Sequence, residues 1–392
     1  MEGDFIKVND WMLPLSWLYG IGVKLRNWCF EAGILKSRSF DVPVISVGNI
    51  TVGGTGKTPH VEYLIELLQQ KFHVAVLSRG YKRKSKGFIK ADANSSVHDI
   101  GDEPFQMKQK YPGITVAVDK DRCHGIDLLT SNDKHLDAIL LDDAFQHRYV
   151  KPGINILLVD YHRLIIYDKL LPAGRLREPL SGKNRADIVI VTKCPKDLKP
   201  MEYRVITKAM DLYPYQQLYF TTIDYGTLRP LFKEQKGHNE LRDLEDLKRF
   251  NVLLLTGIAS PKQMVHDLSP LAADLHPLTF SDHHNFTRDD AQTIHDEFTV
   301  LPSPKVIITT EKDATRLMAM KDLSDEIKKN LYVLPIEVKF MLEQENMFNE
   351  KIINYVRKNS RNSILAKAKD DKQPKDSHRT GDRPRTIVFR NN

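Results

Sequence analysis

The sequence predicts an α/β fold whose first and larger domain is a parallel β-sheet flanked by helices. Strand-like runs rich in Val, Ile and Leu alternate with helical segments between residues 42 and 357, which is typical of a parallel sheet covered on both faces. A glycine-rich loop at residues 53–58 separates the first of these strands from the helix that follows, as in P-loop NTPases. At 392 residues the chain is also long enough for two domains.

The elements fall into two series. In the first, strands are predicted at residues 42–47, 73–78, 115–118, 138–141, 155–159 and 187–192, with helices near 57–70, 103–111 and 121–131. In the second, strands are predicted at residues 218–223, 252–258, 275–280, 306–310 and 331–338, with helices near 261–269, 287–299 and 345–357. A polar stretch with Pro214 and Pro230, within residues 211–240, indicates the junction.

The predicted organisation therefore has four segments. They are an N-terminal membrane-interface helix at 1–35, a P-loop core at 36–215, a second and smaller α/β domain at 216–357 that completes a cleft, and a basic tail at 358–392. The tail lacks periodicity and is expected to be disordered.

Charge and cysteine content exclude some classes of protein. Residues 359–392 hold nine Lys or Arg against four Asp, so most of the net charge of +7 lies in the tail and the body is nearly neutral. General nucleic-acid binding is therefore not expected. Three widely separated cysteines, Cys29, Cys123 and Cys194, favour a reducing compartment over a disulfide framework.

The N-terminal segment has an unusual composition. Residues 11–23 are an uncharged, mostly apolar run of 13 residues, which is too short to span a bilayer as a helix. A secretory signal is not expected, because no small-residue cleavage site follows this run. A helix here places Leu15, Leu18, Gly22, Leu25 and Cys29 on one stripe, flanked by all three tryptophans of the chain and by Lys24 and Arg26. This pattern favours an amphipathic helix at a membrane surface; a packing helix of a soluble domain is the alternative.

The glycine-rich loop predicts a site for a nucleoside triphosphate. Its backbone N–H groups would surround the phosphates, Lys57 would reach the outer phosphates, and the hydroxyl of Thr58 would contact Mg²⁺. Thr51 stands where the general motif has glycine. The candidate nucleotide-binding residues are Thr51, Val52, Gly53, Gly54, Thr55, Gly56, Lys57 and Thr58. ATP is favoured over GTP, because Pro195 stands where a guanine-reading motif at 192–195 would need Asp.

Carboxylates at strand and helix ends are candidates for the metal and for proton transfer. Asp142 and Asp143 end an apolar strand, as in a Walker B motif, and Gln146 follows closely. Asp102 and Glu103 begin a predicted helix, where either residue is a candidate general base or magnesium ligand. Helix and loop capping remain the alternatives for all four carboxylates.

Other loops carry arginine or histidine. Arg79, Arg122, Arg175 and Arg177 lie in predicted loops at strand ends, which favours an anionic substrate. Residues 281–284, Ser-Asp-His-His, follow a strand of the second domain. Asp282 or His283 is a candidate for orienting an acid–base group, with helix capping as the alternative.

Taken together, these motifs resemble those of one family. Residues 47–59 are similar to the phosphate loop of the lipid A 4′-kinases (tetraacyldisaccharide 4′-kinases). Further similar segments, in the same order, are 78–81, 101–104, 142–147, 171–179 and 282–283. The resemblance extends from the N-terminal helix to about residue 340, and in this family Thr is usual at the position of Thr51.

The resemblance implies a reaction and a set of residue roles. It implies transfer of the γ-phosphate of ATP, with Mg²⁺, to the 4′-hydroxyl of an acylated glucosamine disaccharide 1-phosphate in lipid A synthesis, at the cytoplasmic face of the bacterial inner membrane. The expected partners are this lipid and the membrane surface, and the expected state is a monomer. The implied roles are Asp102 as base, His283 as its supporting histidine, Glu103, Asp142 and Asp143 at the metal, and Arg122 and Arg177 near the phosphates. Lys57, Thr58 and Gln146 are assigned to the nucleotide and metal by the loop motif and by their position in the sequence, as above.

Two alternatives share the phosphate loop. A nucleotide-driven chaperone or metal-insertion NTPase predicts guanine recognition or a metal-ligand cluster, and the sequence contains neither pattern. A soluble ATP-dependent ligase leaves the N-terminal helix unexplained.

Overall fold

The computed structural model describes residues 8–235, 241, 243–258, 261–282, 284–320 and 322–360. Within these ranges, two β-sheets flanked by helices form the α/β architecture that the sequence predicts. The predicted disordered tail lies beyond residue 360, outside the described residues, apart from its first three positions.

The strands are β1 Val44–Gly48, β2 Val74–Ser78, β3 Ile89–Lys90, β4 Thr115–Val118, β5 Ala138–Asp142, β6 Ile154–Asp160, β7 Ile188–Thr192, β8 Gln217–Tyr225, β9 Arg229–Pro230, β10 Asn251–Thr256, β11 Asp274–Thr279, β12 Lys305–Thr310, β13 Leu331–Leu334 and β14 Ile336–Phe340. The helices are α1 Leu13–Glu31, α2 Lys57–Gln69, α3 Val97–Ile100, α4 Asp102–Lys110, α5 Arg122–Asn132, α6 Pro200–Met210, α7 Lys262–Leu268, α8 Arg288–Val300, α9 Glu311–Leu317, α10 Asp325–Asn330 and α11 Glu345–Asn359.

The larger sheet has the strand order β14-β8-β7-β6-β1-β5-β2-β4-β3. Its inner strands are parallel, whereas β3 and β14 pair antiparallel at the two edges. Every residue of β1, β2, β5 and β7 is buried, because helices and loops cover both faces of the sheet. The helix α2 packs on one face through Val61, Leu64, Ile65 and Leu68, which recur at the spacing of an amphipathic helix.

The smaller sheet has the strand order β11-β10-β12-β13-β9. Only β9 is antiparallel to its neighbour among the strands described in this sheet. Met264 and Leu268 of α7 pack on one face, and Ile294 and Phe298 of α8 pack on the other. The second domain is therefore also a parallel sheet with helices on both sides.

The division between the sheets differs from the predicted boundary near residue 216. β8 and β14 hydrogen-bond into the larger sheet, and Phe348, Ile352 and Val356 of α11 pack in its core. The run 331–338, predicted as one strand, is split into β13 and β14, which belong to different sheets. Pro335 lies between them and has no N–H to continue a ladder. The second domain is thus an insertion between β8 and β14.

The helix α1 lies on the larger domain with most of its apolar side chains exposed. Its buried residues are Ser16, Gly20 and Phe30. The Ser16 hydroxyl donates to the carbonyl of Leu170 at 3.0 Å, and a Cβ atom at Gly20 would lie 2.9 Å from the Leu170 side chain. The exposed large apolar residues are Trp11, Leu15, Trp17, Leu18, Ile21, Leu25 and Trp28. Among the described helices, none is both long and apolar enough to cross a bilayer.

Candidate active site

The phosphate loop connects β1 to α2, and two of its glycines adopt left-handed backbone. Gly53 has φ +113° and Gly56 has φ +79°, a region that side-chain-bearing residues rarely occupy. Gly56 directly precedes α2, so the positive end of this helix faces the loop. The Asn49 amide donates to Thr55 Oγ1 at 2.8 Å, and Val52 N donates to the Arg175 carbonyl at 2.8 Å, which fixes both ends of the loop.

Asp142 lies at the carboxyl end of β5, in register with Val47 of β1. The Ser78 hydroxyl donates to its Oδ2 at 3.0 Å. Its Oδ1 is buried and has no hydrogen-bond partner among the described residues. Burial raises the pKa of Asp142 to about 7, and repulsion from Glu103 and Asp143 adds to this shift. The attraction of Lys57 opposes it but is weaker. A buried carboxylate oxygen beside two other carboxylates is suited to a divalent cation.

Asp143 has a different environment, although it is the next residue. Its Oδ1 lies 3.8 Å from Lys57 Nζ and 3.2 Å from an Nη of Arg177. Burial alone would raise its pKa, but the attraction of Lys57 and Arg177 is stronger and keeps the pKa below its usual value. Asp143 therefore stays ionised and links the lysine of the phosphate loop to an arginine of the loop at 170–177.

The donor set at the loop fits Mg²⁺. Thr58 and Glu103 line the same cleft, and Asp142 offers its unpartnered oxygen. Hydroxyl and carboxylate oxygens are the ligands that this ion prefers. The predicted residues Thr58, Glu103 and Asp142 thus come together, whereas Asp143 is already paired with two cations.

Asp102 begins α4 and is buried. An Nη of Arg316, on α9 of the second domain, lies 2.6 Å from its Oδ2. Arg316 also contacts Asp313 at 3.1 Å, and Asp313 accepts from the backbone N–H of Gly257 at 2.9 Å. His283, the predicted partner of Asp102, lies outside the described residues. Its neighbour Asp282 pairs with Lys312 at 3.0 Å.

The two predicted arginines each contact one residue of the Asp142–Asp143 pair. Arg122 donates to the backbone carbonyl of Asp142 at 3.3 Å, and burial lowers its pKa to about 10 despite both carboxylates. Arg177 donates to the backbone carbonyl of Asn49 at 3.2 Å as well as to Asp143. The Gln146 amide also donates to the Asn49 carbonyl. These contacts place Arg177 and Gln146 beside Asn49 at the start of the phosphate loop, and Arg122 beside Asp142.

A cleft of about 180 Å³, partly open to solvent, separates the phosphate loop from the second domain. Gly54, Gly56 and Lys57 form its floor on the side of the loop. The apolar residues of its lining are Ile223, Tyr225, Ile258, Met264 and Ile336. A phosphate site next to an apolar wall is the arrangement that a nucleotide requires.

Sequence reasoning missed Lys193 and His60 near the loop. Lys193 Nζ donates to the Gly54 carbonyl and lies 2.8 Å from Asp160. The buried His60 ring contacts the Gly56 carbonyl at 2.7 Å and the Thr221 hydroxyl at 3.1 Å. From the sequence, Lys193 was considered only within residues 192–195, which do not match a guanine-binding motif. Arg316 was also missed, because its contact with Asp102 joins residues 214 positions apart.

Comparison with known proteins agrees with this geometry. Residues 8–357 match the family model LpxK, tetraacyldisaccharide-1-P 4′-kinase. The chain belongs to this family. It is 61% identical over 368 residues to the tetraacyldisaccharide 4′-kinase of Phocaeicola vulgatus, covering 93% of this chain and 99% of the relative. It is 52% identical over 380 residues to the enzyme of the same name from Bacteroides thetaiotaomicron, covering 95% and 100%.

A solved relative has the same fold. The crystal structure of LpxK from Aquifex aeolicus in complex with ATP superposes with a TM-score of 0.67 at 29% identity. The match covers 89% of this chain and 99% of that one. The predicted family and α/β fold are therefore confirmed. The individual site residues remain predictions that the geometry supports.

Proposed function

We propose that this protein transfers the γ-phosphate of ATP to the 4′-hydroxyl of a tetraacyldisaccharide 1-phosphate. One structural relationship carries the proposal: residues 170–177 contact both the exposed apolar helix α1 and the residues of the phosphate loop. Ser16 of α1 bonds to the carbonyl of Leu170, and the Tyr19 hydroxyl donates to the carbonyl of Arg177 at 2.8 Å. Arg177 in turn contacts Asp143. A lipid held at α1 would thus lie beside the site of phosphate transfer.

The residues of the cleft supply positioning and charge neutralisation, which phosphoryl transfer chiefly requires. Lys57 and the N–H groups of the loop bind the outer phosphates, and Arg122 and Arg177 lie beside them. Thr58, Glu103 and Asp142 would hold Mg²⁺, with Asp143 supporting Lys57. The ion, when bound, neutralises charge that develops on the phosphate oxygens.

Asp102 acts as the general base. The 4′-hydroxyl oxygen forms a bond to the γ-phosphorus while the bond from that phosphorus to the β–γ bridging oxygen breaks. The hydroxyl proton passes to the Asp102 carboxylate, and ADP leaves with the bridging oxygen. Arg316 holds Oδ2 of Asp102 from the second domain, so the position of the base depends on how the two domains meet. In this proposal His283 assists Asp102.

The protein acts as a monomer at a membrane surface, on the cytoplasmic face of the bacterial inner membrane. Support comes from α1, because its Trp17 is 80% exposed and its Trp28 is 56% exposed, and Trp11 just before the helix is 94% exposed. Exposed aromatic rings with Lys24 and Arg26 nearby suit the headgroup region of a bilayer.

The decisive experiment is transfer from γ-labelled ATP to a purified acylated glucosamine disaccharide 1-phosphate. The expected product carries the label on the 4′ oxygen, as assigned by NMR, and its formation requires Mg²⁺. Lys57→Ala is the matched inactive control, because it removes the cation of the loop. Label found only in inorganic phosphate, or on another hydroxyl, would overturn the proposal.

A further inference from the structure

A polar cavity lies beneath the segment 144–148, on the face of the larger sheet opposite α2. Its volume is about 320 Å³, many times the space that one water molecule needs. Pro152 and Asp187, which precede β6 and β7, belong to its lining. It therefore reaches toward the amino ends of these strands, whereas the phosphate loop lies at the carboxyl end of β1. It is a separate site from the cleft described above.

Two polar side chains of neighbouring strands belong to the lining of this cavity. Ser46 of β1 and Asn155 of β6 are register partners, so both point to the same face. Ser46 is 2% exposed and Asn155 is 8% exposed. Neither Ser46 Oγ nor Asn155 Oδ1 has a hydrogen-bond partner among the described residues. Buried polar atoms normally have partners. The Ser46 hydroxyl can donate to a bound group, whereas the Asn155 oxygen can only accept.

The cavity also contains two guanidinium groups. Arg185 lies over the ring of Phe145 at 4.9 Å and pairs with Glu178 at 2.7 Å. Arg148 lies over the ring of Phe30 at 4.9 Å and 3.7 Å from the carboxylate of Glu31. Burial and then repulsion from Arg185 lower the pKa of Arg148. Each of these ion pairs uses only part of the five N–H donors of its guanidinium group, so the other donors can serve a further anion.

A histidine completes the donor set. His147 Nε2 is buried and has no partner among the residues described. Lys151 at the edge adds positive charge, and the opposing carboxylate of Asp187 already accepts from the backbone N–H of Asn155 at 2.8 Å. The cationic and hydroxyl groups of the lining thus come from β1, from the segment 144–148 and from residues 151 and 185.

We propose that this cavity binds one phosphate group, held by Arg148, Arg185 and the Ser46 hydroxyl. Guanidinium and hydroxyl donors match the oxygens of a tetrahedral phosphate. The group can come from free phosphate or from the headgroup of an anionic lipid. This site is independent of the kinase reaction, because neither arginine has a role in the proposed transfer.

Binding there would stabilise the segment that links α1 to the Walker B carboxylates. Arg148 donates to the carbonyl of Asn27 on α1 at 3.2 Å. Phe145 fits closely against the end of β1, since a Cβ atom at Gly48 would lie 2.8 Å from Phe145 Cβ. A phosphate on Arg148 and Arg185 would therefore hold α1, the segment 144–148 and the end of β1 together.

The test measures phosphate binding while the phosphate loop is blocked. The full chain is saturated with Mg²⁺ and a non-hydrolysable ATP analogue, and labelled inorganic phosphate is added in equilibrium dialysis. We expect one phosphate per chain beyond the nucleotide. Ser46→Val replaces the hydroxyl with a strand-compatible side chain, and Arg148→Gln removes one cation; each should weaken binding about tenfold or more. Arg38→Gln removes a nearby exposed arginine, paired with Asp127, and should change nothing.

Vesicle flotation identifies the source of the phosphate. If Ser46→Val lowers binding to phosphatidylglycerol vesicles but not to phosphatidylcholine vesicles, the site holds a lipid headgroup. If vesicle binding is unchanged while dialysis shows the loss, the site holds free phosphate. The proposal fails if the wild-type chain retains no second phosphate at millimolar concentration. It also fails if both variants fold and retain as much phosphate as the wild type.

Discussion

The carboxylate of Asp102 and the guanidinium of Arg316 form a buried ion pair between the two domains, with 2.6 Å between Oδ2 and Nη2. Asp102 begins α4 on the larger sheet, whereas Arg316 lies on α9 of the smaller one. A second set of ion pairs also joins the two domains. Lys110 lies 2.7 Å from Glu62 and 3.2 Å from Glu311. The candidate base is therefore positioned by the interface between the domains as well as by its own helix.

Removing the guanidinium should destabilise the protein. Arg316→Ala leaves Asp102 and Asp313 buried near each other without that cation, and breaking a buried pair in this way costs about 3–5 kcal/mol. Arg316→Lys should cost less, although the shorter ammonium lacks the planar, two-pronged donor geometry of the guanidinium. Denaturant unfolding measures both values.

The exposed Arg249, which is 3.9 Å from Asp246, provides the control. Arg249→Ala should change the free energy of unfolding by less than about 0.5 kcal/mol. A similar small effect for Arg316→Ala would show that the pair is not formed in solution. Combining Arg316→Ala with Asp102→Asn in a double-mutant cycle isolates the coupling between the two side chains.

Asp102→Asn should abolish most catalysis while ATP binding persists. The amide has the same shape and can still accept from Arg316, but it cannot take the hydroxyl proton. We expect turnover to fall by about 10²–10⁴-fold, with the KM for ATP nearly unchanged because Asp102 does not line the floor of the phosphate loop. Steady-state transfer assays measure both constants, with Asp289→Asn on the exposed face of α8 as control. A variant that keeps most of its turnover would exclude Asp102 as the base.

Lys57→Ala should damage nucleotide binding itself. The ammonium lies 3.8 Å from Asp143 and lowers the pKa of both Asp143 and Asp142. Its loss removes a phosphate contact and leaves the negative charge of the two carboxylates less well neutralised. Affinity for a non-hydrolysable Mg²⁺–ATP analogue should therefore fall about tenfold or more. Titration calorimetry gives the affinity, and Lys71→Ala at an exposed position is the control. Equal affinities for the two variants would contradict the role of Lys57.

Stability should decrease on mild acidification because of His60. Burial, with a smaller contribution from Lys193, lowers its pKa to about 4, although the Gly56 carbonyl opposes the shift. The unfolded chain has a histidine pKa near 6.5 and therefore binds more protons between pH 6.5 and pH 4. The stabilisation is complete above pH 6.5 and is lost as pH falls toward 4. Between pH 7 and pH 5 the loss is about 2 kcal/mol.

Unfolding at a series of pH values tests this, with His60→Gln compared against His135→Gln at an exposed position. The first variant should flatten the dependence, and the second should not. Some slope should remain in His60→Gln, because burial and Arg122 also lower the pKa of His147, to about 4. An unchanged slope in His60→Gln would refute the role of His60.

Local patterns predicted most of the elements, whereas contacts between distant residues were not predictable. The strand at 115–118 matches β4, and the loop at 53–58 has the expected backbone. Apolar content alone could not predict that β8 and β14 complete the larger sheet, because a buried strand has the same apolar pattern in either sheet. Nor did any local signal mark the contact of Arg316 with Asp102, because these residues lie far apart in the chain.

Trp17 tests whether α1 binds a membrane surface. The side chain is 80% exposed, so replacing it costs the fold little, yet its burial in the headgroup region would favour binding. We expect Trp17→Glu to reduce cosedimentation with phosphatidylglycerol vesicles about tenfold or more. The melting temperature should not change.

Val300→Glu is the matched control, because Val300 is an apolar residue that is 83% exposed at the end of α8 in the second domain. It introduces the same charge far from α1 in sequence and should leave vesicle binding unchanged. Trp17→Glu should also raise the apparent KM for a vesicle-borne acceptor while the KM for ATP stays constant, since only the lipid approaches through α1. If Trp17→Glu and Val300→Glu bind vesicles alike, the exposed face of α1 does not hold the protein at the bilayer, and the lipid must reach Asp102 by another route.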